Sequence, residues 1–400
     1  MLVPDDPHAA EARAPDRRTD PTLEPMPDPM PDPMLDAARQ VGDPDIDAVV
    51  ADYLAGAGGA ALGPALGALF GTTGLPEAHP LVRAYLARVD EPAPGELGDP
   101  ARIERGQRMF GRLGPEILLV LGSCSLPLAF ACGNGVQAIH RARRLKDDPV
   151  RRLYDTAQMV VNAMQVGELA RGGIGWRSAR KVRLIHAVVR HQVQRDPAAP
   201  WSASWGTPIN QEDMAGTLLS FSVAALHGLR RIGARISRGE GDDYVHAWSA
   251  VGRLLGVDER LLVDSEADAM ALALRIGARQ IRATPEGKQL AEQLLEAVGS
   301  LLPVPGYALS LTHYFLSDTA FGDDVARVLE LPEPDWTRAL VAARAWQKRH
   351  VLRLLDLVPG AHGRRRFLAR RFVQALISAR RPAGDTPPFE VPARLAMRWR

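Results

Sequence analysis

Cysteine is nearly absent: the 400-residue chain has two, Cys124 and Cys132. That is too few for a disulfide framework, and a helical spacing of eight would not bring the two sulfurs within bonding range. Two thiols in a reducing compartment are expected. No His-x-x-x-His or His-Glu-x-x-His spacing occurs, and no cluster of His with carboxylates marks a facial triad. The net charge of +2 excludes the strongly basic balance of a protein built mainly to bind nucleic acid. A leader-like apolar run is missing as well. Thr19-Asp20-Pro21 follows Arg17-Arg18 where a twin-arginine signal needs hydrocarbon, so a cytoplasmic location is expected. Alternating runs of strand length are absent too, which argues against a sheet.

One uncharged run, Ile117 to Ile139, is long enough to cross a bilayer. Ser123, Ser125, Pro127, Asn134 and several glycines interrupt it, which fits a protein interior better than lipid. Residues 1–40 are rich in Pro, Asp and Met, with the repeat Met26-Pro-Asp-Pro-Met30-Pro-Asp-Pro-Met34, and are expected to form a disordered tail. Residues 41–380 are expected to be one all-α domain of roughly a dozen helices, and 381–400 a C-terminal tail. Within it, Gln211 to Ile232 reads as one helix capped by Asn210, with Asp213 near N3. Ala101 to Leu113 and Glu116 to Leu126 read as two helices. Arg364-Arg-Arg366, Arg370-Arg371 and Arg380-Arg381 alternate with apolar residues at helical spacing, an amphipathic cationic helix fit for a membrane surface or an acidic partner.

His186 stands out. It belongs to Lys181-Val-Arg-Leu-Ile-His186-Ala-Val-Val-Arg190, on the same helical side as Val182, Ile185, Val189 and Val193. An uncharged imidazole in hydrocarbon needs either a buried hydrogen-bond partner or a metal. His246, in Tyr244-Val-His-Ala-Trp248, is its main rival for a metal, with packing the alternative. Trp176, Trp201, Trp205 and Trp248 would wall a pocket or fill the core.

The helix of His186, the segment Trp205-Gly-Thr-Pro-Ile-Asn-Gln-Glu-Asp-Met214, the Tyr244 to Val257 stretch and Val150-Arg-Arg-Leu-Tyr-Asp-Thr-Ala-Gln158 together resemble the latex clearing protein and MpaB-type oxygenase family. The resemblance runs from about Gly106 to about Asp323. It implies a globin-like heme-binding core with additional surrounding helices, and heme b with His186 as the ligand of its iron. Arg183 and Arg190 become candidate propionate partners, and Thr217 a pocket residue. The family's distal Arg-x-x-Lys-Thr is matched by Arg152 and Thr156, but Asp155 stands where the family has lysine, and no distal glutamate can be placed. Asp155 reverses the charge near bound dioxygen unless it is protonated or paired with Arg152. The resemblance therefore implies an oxygenase that takes dioxygen and an apolar isoprenoid, polyene or lipid, oxidising or cleaving a C=C bond. The departure at Asp155 leaves open a heme-binding sensor or carrier without turnover.

Overall fold

The computed structural model describes residues 32–70, 75–89, 95–143, 149–302, 304–317 and 324–355. Among these residues all regular structure is helical, apart from an isolated bridge between Cys132 and Ile281. In chain order the helices are α1 (Pro33–Arg39), α2 (Pro44–Ala57), α3 (Leu62–Phe70), α4 (Pro80–Arg88), α5 (Pro100–Val120), α6 (Leu126–Phe130), α7 (Gly135–Arg143), α8 (Pro149–Ala163) and α9 (Ile174–Arg195). The second half has α10 (Gln211–Phe221), α11 (Val223–Arg231), α12 (Arg238–Leu255), α13 (Glu266–Gln280), α14 (Pro285–Leu301), α15 (Tyr307–Leu316), α16 (Val325–Val328) and α17 (Thr337–Leu355). The all-α expectation holds. The helices outnumber the expected dozen because several are too short to show a period in sequence.

Three boundaries differ from the sequence reading, each for a local reason. Among the described residues helical structure begins at Pro33, inside the stretch read as tail. Proline suits the first helical turn, Asp32 accepts from the Leu35 N–H, and Leu35 is fully buried. The expected Gln211 to Ile232 helix breaks at Ser222, whose φ −99° and ψ −86° leave the helical region and separate α10 from α11. Conversely, α5 runs straight through Pro115 and continues as a π-helical turn, Leu121–Ser125, into α6. Packing overrides the proline signal here. The first part of α5 lies against α12, where Arg102 and Arg105 pair with Asp243 and a Cβ added at Gly106 would collide with the Asp243 carbonyl oxygen.

The α5–α12 pair is the axis of the main core, where Phe110, Ile117, Val120, Tyr244, Ala247 and Val251 are buried with residues of α8, α10, α11, α13 and α15. A second core joins α2, α3 and α4 to one side of α9 through Leu184, Ala187 and Val188. Because α9 contributes to both cores, it is held on two sides. Pro100–Phe130 has the length and hydropathy of a membrane span, yet most of its apolar window is buried inside the protein, as the interrupting polar residues led one to expect. Cys124 and Cys132 are free thiols, and burial pushes Cys132 up to about 12. The basic Arg364 to Arg381 segment, with its expected membrane or acidic partner, lies outside the described residues.

Candidate functional site

The site is built on the α8–α9 hairpin. Asn162 Nδ2 donates to Ser178 Oγ at 2.9 Å, and Gln158 Nε2 donates to Asn162 Oδ1 at 2.9 Å. Beside that bond the Gly175 backbone lies so close to Asn162 and Ala163 that a Cβ would meet the Asn162 carbonyl oxygen at 2.7 Å. α8 and α9 pack against each other. The Arg152 side chain is outside the described part of the structure. Asp155 is half-buried and is not a free carboxylate.

His186 is largely enclosed, and its Nδ1 is buried without any hydrogen-bond partner. Burial, and then the Arg190 charge, push the imidazole down to about 3, so it is neutral at physiological pH. A buried ring nitrogen left unbonded is costly, and a neutral imidazole is the form that binds metals. On this observation the ligand role fits. Heme would supply four nitrogen donors of its own, so one histidine suffices on the protein side. Among the described residues no three His, Cys, Asp or Glu side chains gather to hold a bare ion.

The two arginines flanking His186, expected as propionate partners, hold the carboxylates of Asp43 and Asp47, and Arg190 Nη2 is buried with no hydrogen-bond partner. Arg183 Nε donates to Asp43 Oδ2 at 2.6 Å, and its Nη2 donates to Asp43 Oδ1 at 3.0 Å. Arg190, 1% exposed, donates from Nε to both Asp47 oxygens at 2.8 and 2.9 Å, and from Nη1 to the Ile209 carbonyl at 2.6 Å. Ile209 has φ +49°, a strained conformation for a β-branched residue. The Arg190 bond holds that turn at the entrance to α10. Thr217 also departs from its expected place: it is exposed, and its hydroxyl donates to the Asp213 carbonyl one turn back.

The other conspicuous motifs are scaffold. Asn210 caps α10 as read from sequence, its Oδ1 accepting from the Asp213 N–H at 2.9 Å. Gln211 ties three segments together, donating to the Gly42 and Gly256 carbonyls and accepting from the Asp258 N–H. His246 is satisfied at both nitrogens: Nδ1 lies 2.7 Å from Asp264 Oδ1, and Nε2 accepts from the Asp99 N–H at 2.9 Å. Its packing role is clear. Trp248 packs on Phe221 in the core, Trp176 lies beneath Arg180, and Trp201 and Trp205 form an edge-on pair with Arg141 over the rings.

Two features have no clear signal in the sequence. The first is a narrow cavity of about 40 Å³ between α5, α8 and α14, walled by Leu118, Leu121, Leu126, Leu153, Val160, Phe221 and Leu301. Thr156 is among its lining residues, whereas no α9 residue lines it. The second is a buried charge network. Arg39 donates to Glu212 Oε2 at 2.7 Å and to Asp213 Oδ1 at 3.2 Å, while Arg279 Nε reaches Glu212 Oε1 at 3.0 Å. Glu212 is fully buried. Burial raises Asp213 to about 6 despite the nearby Arg39.

Comparison with known proteins agrees with this architecture. A curated relative, rubber oxygenase of Streptomyces sp. (strain K30), is 25% identical over 358 residues, spanning 82% of this chain and 85% of the relative. A solved structure of latex clearing protein in the closed state superposes with a TM-score of 0.66 at 24% identity, covering 88% of this chain and 95% of that one, a likeness of fold. The family model for the catalytic domain of the ER-bound oxygenase mpaB/B' and rubber oxygenase matches residues 56–376. The chain belongs to this MpaB and rubber oxygenase family.

Proposed function

We propose that the protein is a heme b oxygenase, using dioxygen to oxidise or cleave a C=C bond of an apolar isoprenoid, polyene or lipid. The observation that carries the reading is the largely enclosed, neutral His186 with a buried, unbonded Nδ1. His186 would hold the heme iron, and the heme would supply the redox chemistry when bound.

The chain's own groups have narrower tasks. The apolar lining of the small cavity beside α8 excludes water from that side of the Thr156 turn. Arg152 is the cation of that turn and supplies the positive charge that stabilises developing negative charge on oxygen. Asp155 opposes it unless the two pair. The Arg183 and Arg190 clamps keep α9, and with it the imidazole, from shifting. We place the protein in the cytoplasm, where a diffusible substrate fits better than a solid polymer.

Asp155 favours a second reading, a heme-binding sensor or carrier without turnover. Purified protein with a Soret band and a b-type pyridine hemochrome, both lost in His186→Ala, supports both readings, whereas no heme after reconstitution sinks both. Oxygen uptake with a polyene supports the oxygenase. Uptake that emerges only in Asp155→Lys supports the sensor or carrier.

A further inference from the structure

Among the described residues few large apolar side chains face water, and the two most exposed are Trp336, at 70%, and Trp346, at 59%. Trp336 stands immediately ahead of α17 and Trp346 lies within it, about 15 Å further along the axis. The helix packs on α15 with Thr337, Val341 and Ala345 buried. Ala339, Ala343, Trp346 and His350 are exposed and, at a spacing of four, three and four residues, share the opposite side. A bulky aromatic ring on a track of small residues leaves apolar surface uncovered there.

The charge around this face indicates what kind of partner fits it. Thr337–Leu355 contains five Lys and Arg residues and no Asp or Glu. Lys348 pairs with Glu116, but Arg338 and Arg344 are exposed, and among the described residues Arg349 donates only to neutral oxygens, the Tyr314 hydroxyl and the Arg231 carbonyl. Two copies meeting through α17 would set cations against cations. Tryptophan favours the headgroup boundary of a bilayer, and arginines around it are drawn to anionic lipid. Glu333 and Asp335, exposed ahead of the helix, oppose that attraction at the Trp336 end, so the Trp346 end makes the closer contact.

We propose that α17 is a docking face for an anionic membrane, with Trp346 entering the headgroup boundary and the arginines of the helix drawn to lipid phosphates. The face is separate from the Arg364 to Arg381 segment and does not rest on the oxygenase reading. The full chain is mixed with vesicles of phosphatidylcholine, with and without about one-third phosphatidylglycerol, and the bound fraction is read by flotation. Binding is expected on the anionic vesicles, about tenfold weaker on phosphatidylcholine alone and weaker at high salt. Trp346→Ala should weaken it about fivefold, and Trp336→Ala by less. Arg338→Gln combined with Arg344→Gln should weaken it several-fold. All four side chains are exposed, so each variant should melt as the wild type does. No binding to the anionic vesicles, equal binding to both compositions, or binding unchanged by Trp346→Ala would overturn the proposal. So would a dimer in solution that Trp346→Ala breaks, which would assign the face to a second copy.

Discussion

His186 and His246 sit on long helices in family-like motifs, and in sequence either could be read as a metal ligand. Their surroundings differ in one respect. His246 gives one ring nitrogen to the Asp264 carboxylate and the other to the Asp99 N–H. His186 leaves its buried Nδ1 unbonded, and burial holds it neutral. Apolar spacing identifies buried histidines equally well in both cases. Only the partners, which lie 18 and 147 residues from His246, separate a structural imidazole from one with unused bonding capacity.

The sharpest way to break this contrast is heme binding. His186→Ala is expected to abolish the Soret band of the reconstituted protein and His246→Ala to keep it; the reverse result would exchange the two assignments. Next comes stability of the heme-free protein in urea. His246→Ala strands the Asp99 N–H and leaves a gap where a buried ring packed, and should cost about 2–4 kcal/mol. His186→Leu, which removes an unbonded buried nitrogen, should be neutral or stabilising.

A smaller effect tests a buried acid that has partners. Asp213 titrates near 6 in the folded protein against 3.8 for an unperturbed aspartate. Between those values the folded protein retains a proton that the unfolded chain has released, so stability falls as pH rises through that window. The Asp213 contribution is at most about 3 kcal/mol. Urea midpoints from pH 3.5 to 6.5 should show a decline in wild type beyond that in Asp213→Asn, and parallel curves would refute it. Smallest of all, Thr217→Ala removes a hydroxyl bonded only to its own helix and exposed to water. A change within about 0.5 kcal/mol is expected in the same measurement. A loss of heme affinity there would restore Thr217 to the pocket.

Most of the architecture was legible because helices leave a local record: the cap at Asn210, the apolar period of α9 and the polar interruptions of the α5–α6 run all lie within a few residues of what they determine. The roles of Arg183 and Arg190 were not legible. Their carboxylates, Asp43 and Asp47, are about 140 residues away, and a basic side chain looks the same whether its partner is a propionate or an aspartate. For Thr217, family position pointed inward while the helix turned it to solvent. The break at Ser222 and the continuity through Pro115 reversed the local signals because tertiary packing outweighed them.

The short helix α1 sets a practical limit on where the protein can be cut. Its Arg39 reaches Glu212 and Asp213 at the start of α10, and Glu212 has no access to water. A chain beginning at residue 41, where composition places the start of the domain, would leave that carboxylate with less of its neutralising charge. Trimming at residue 31 leaves the contact whole. An affinity tag or fusion partner therefore belongs ahead of Asp32, and removing α1 would take away one of the two arginines that hold Glu212.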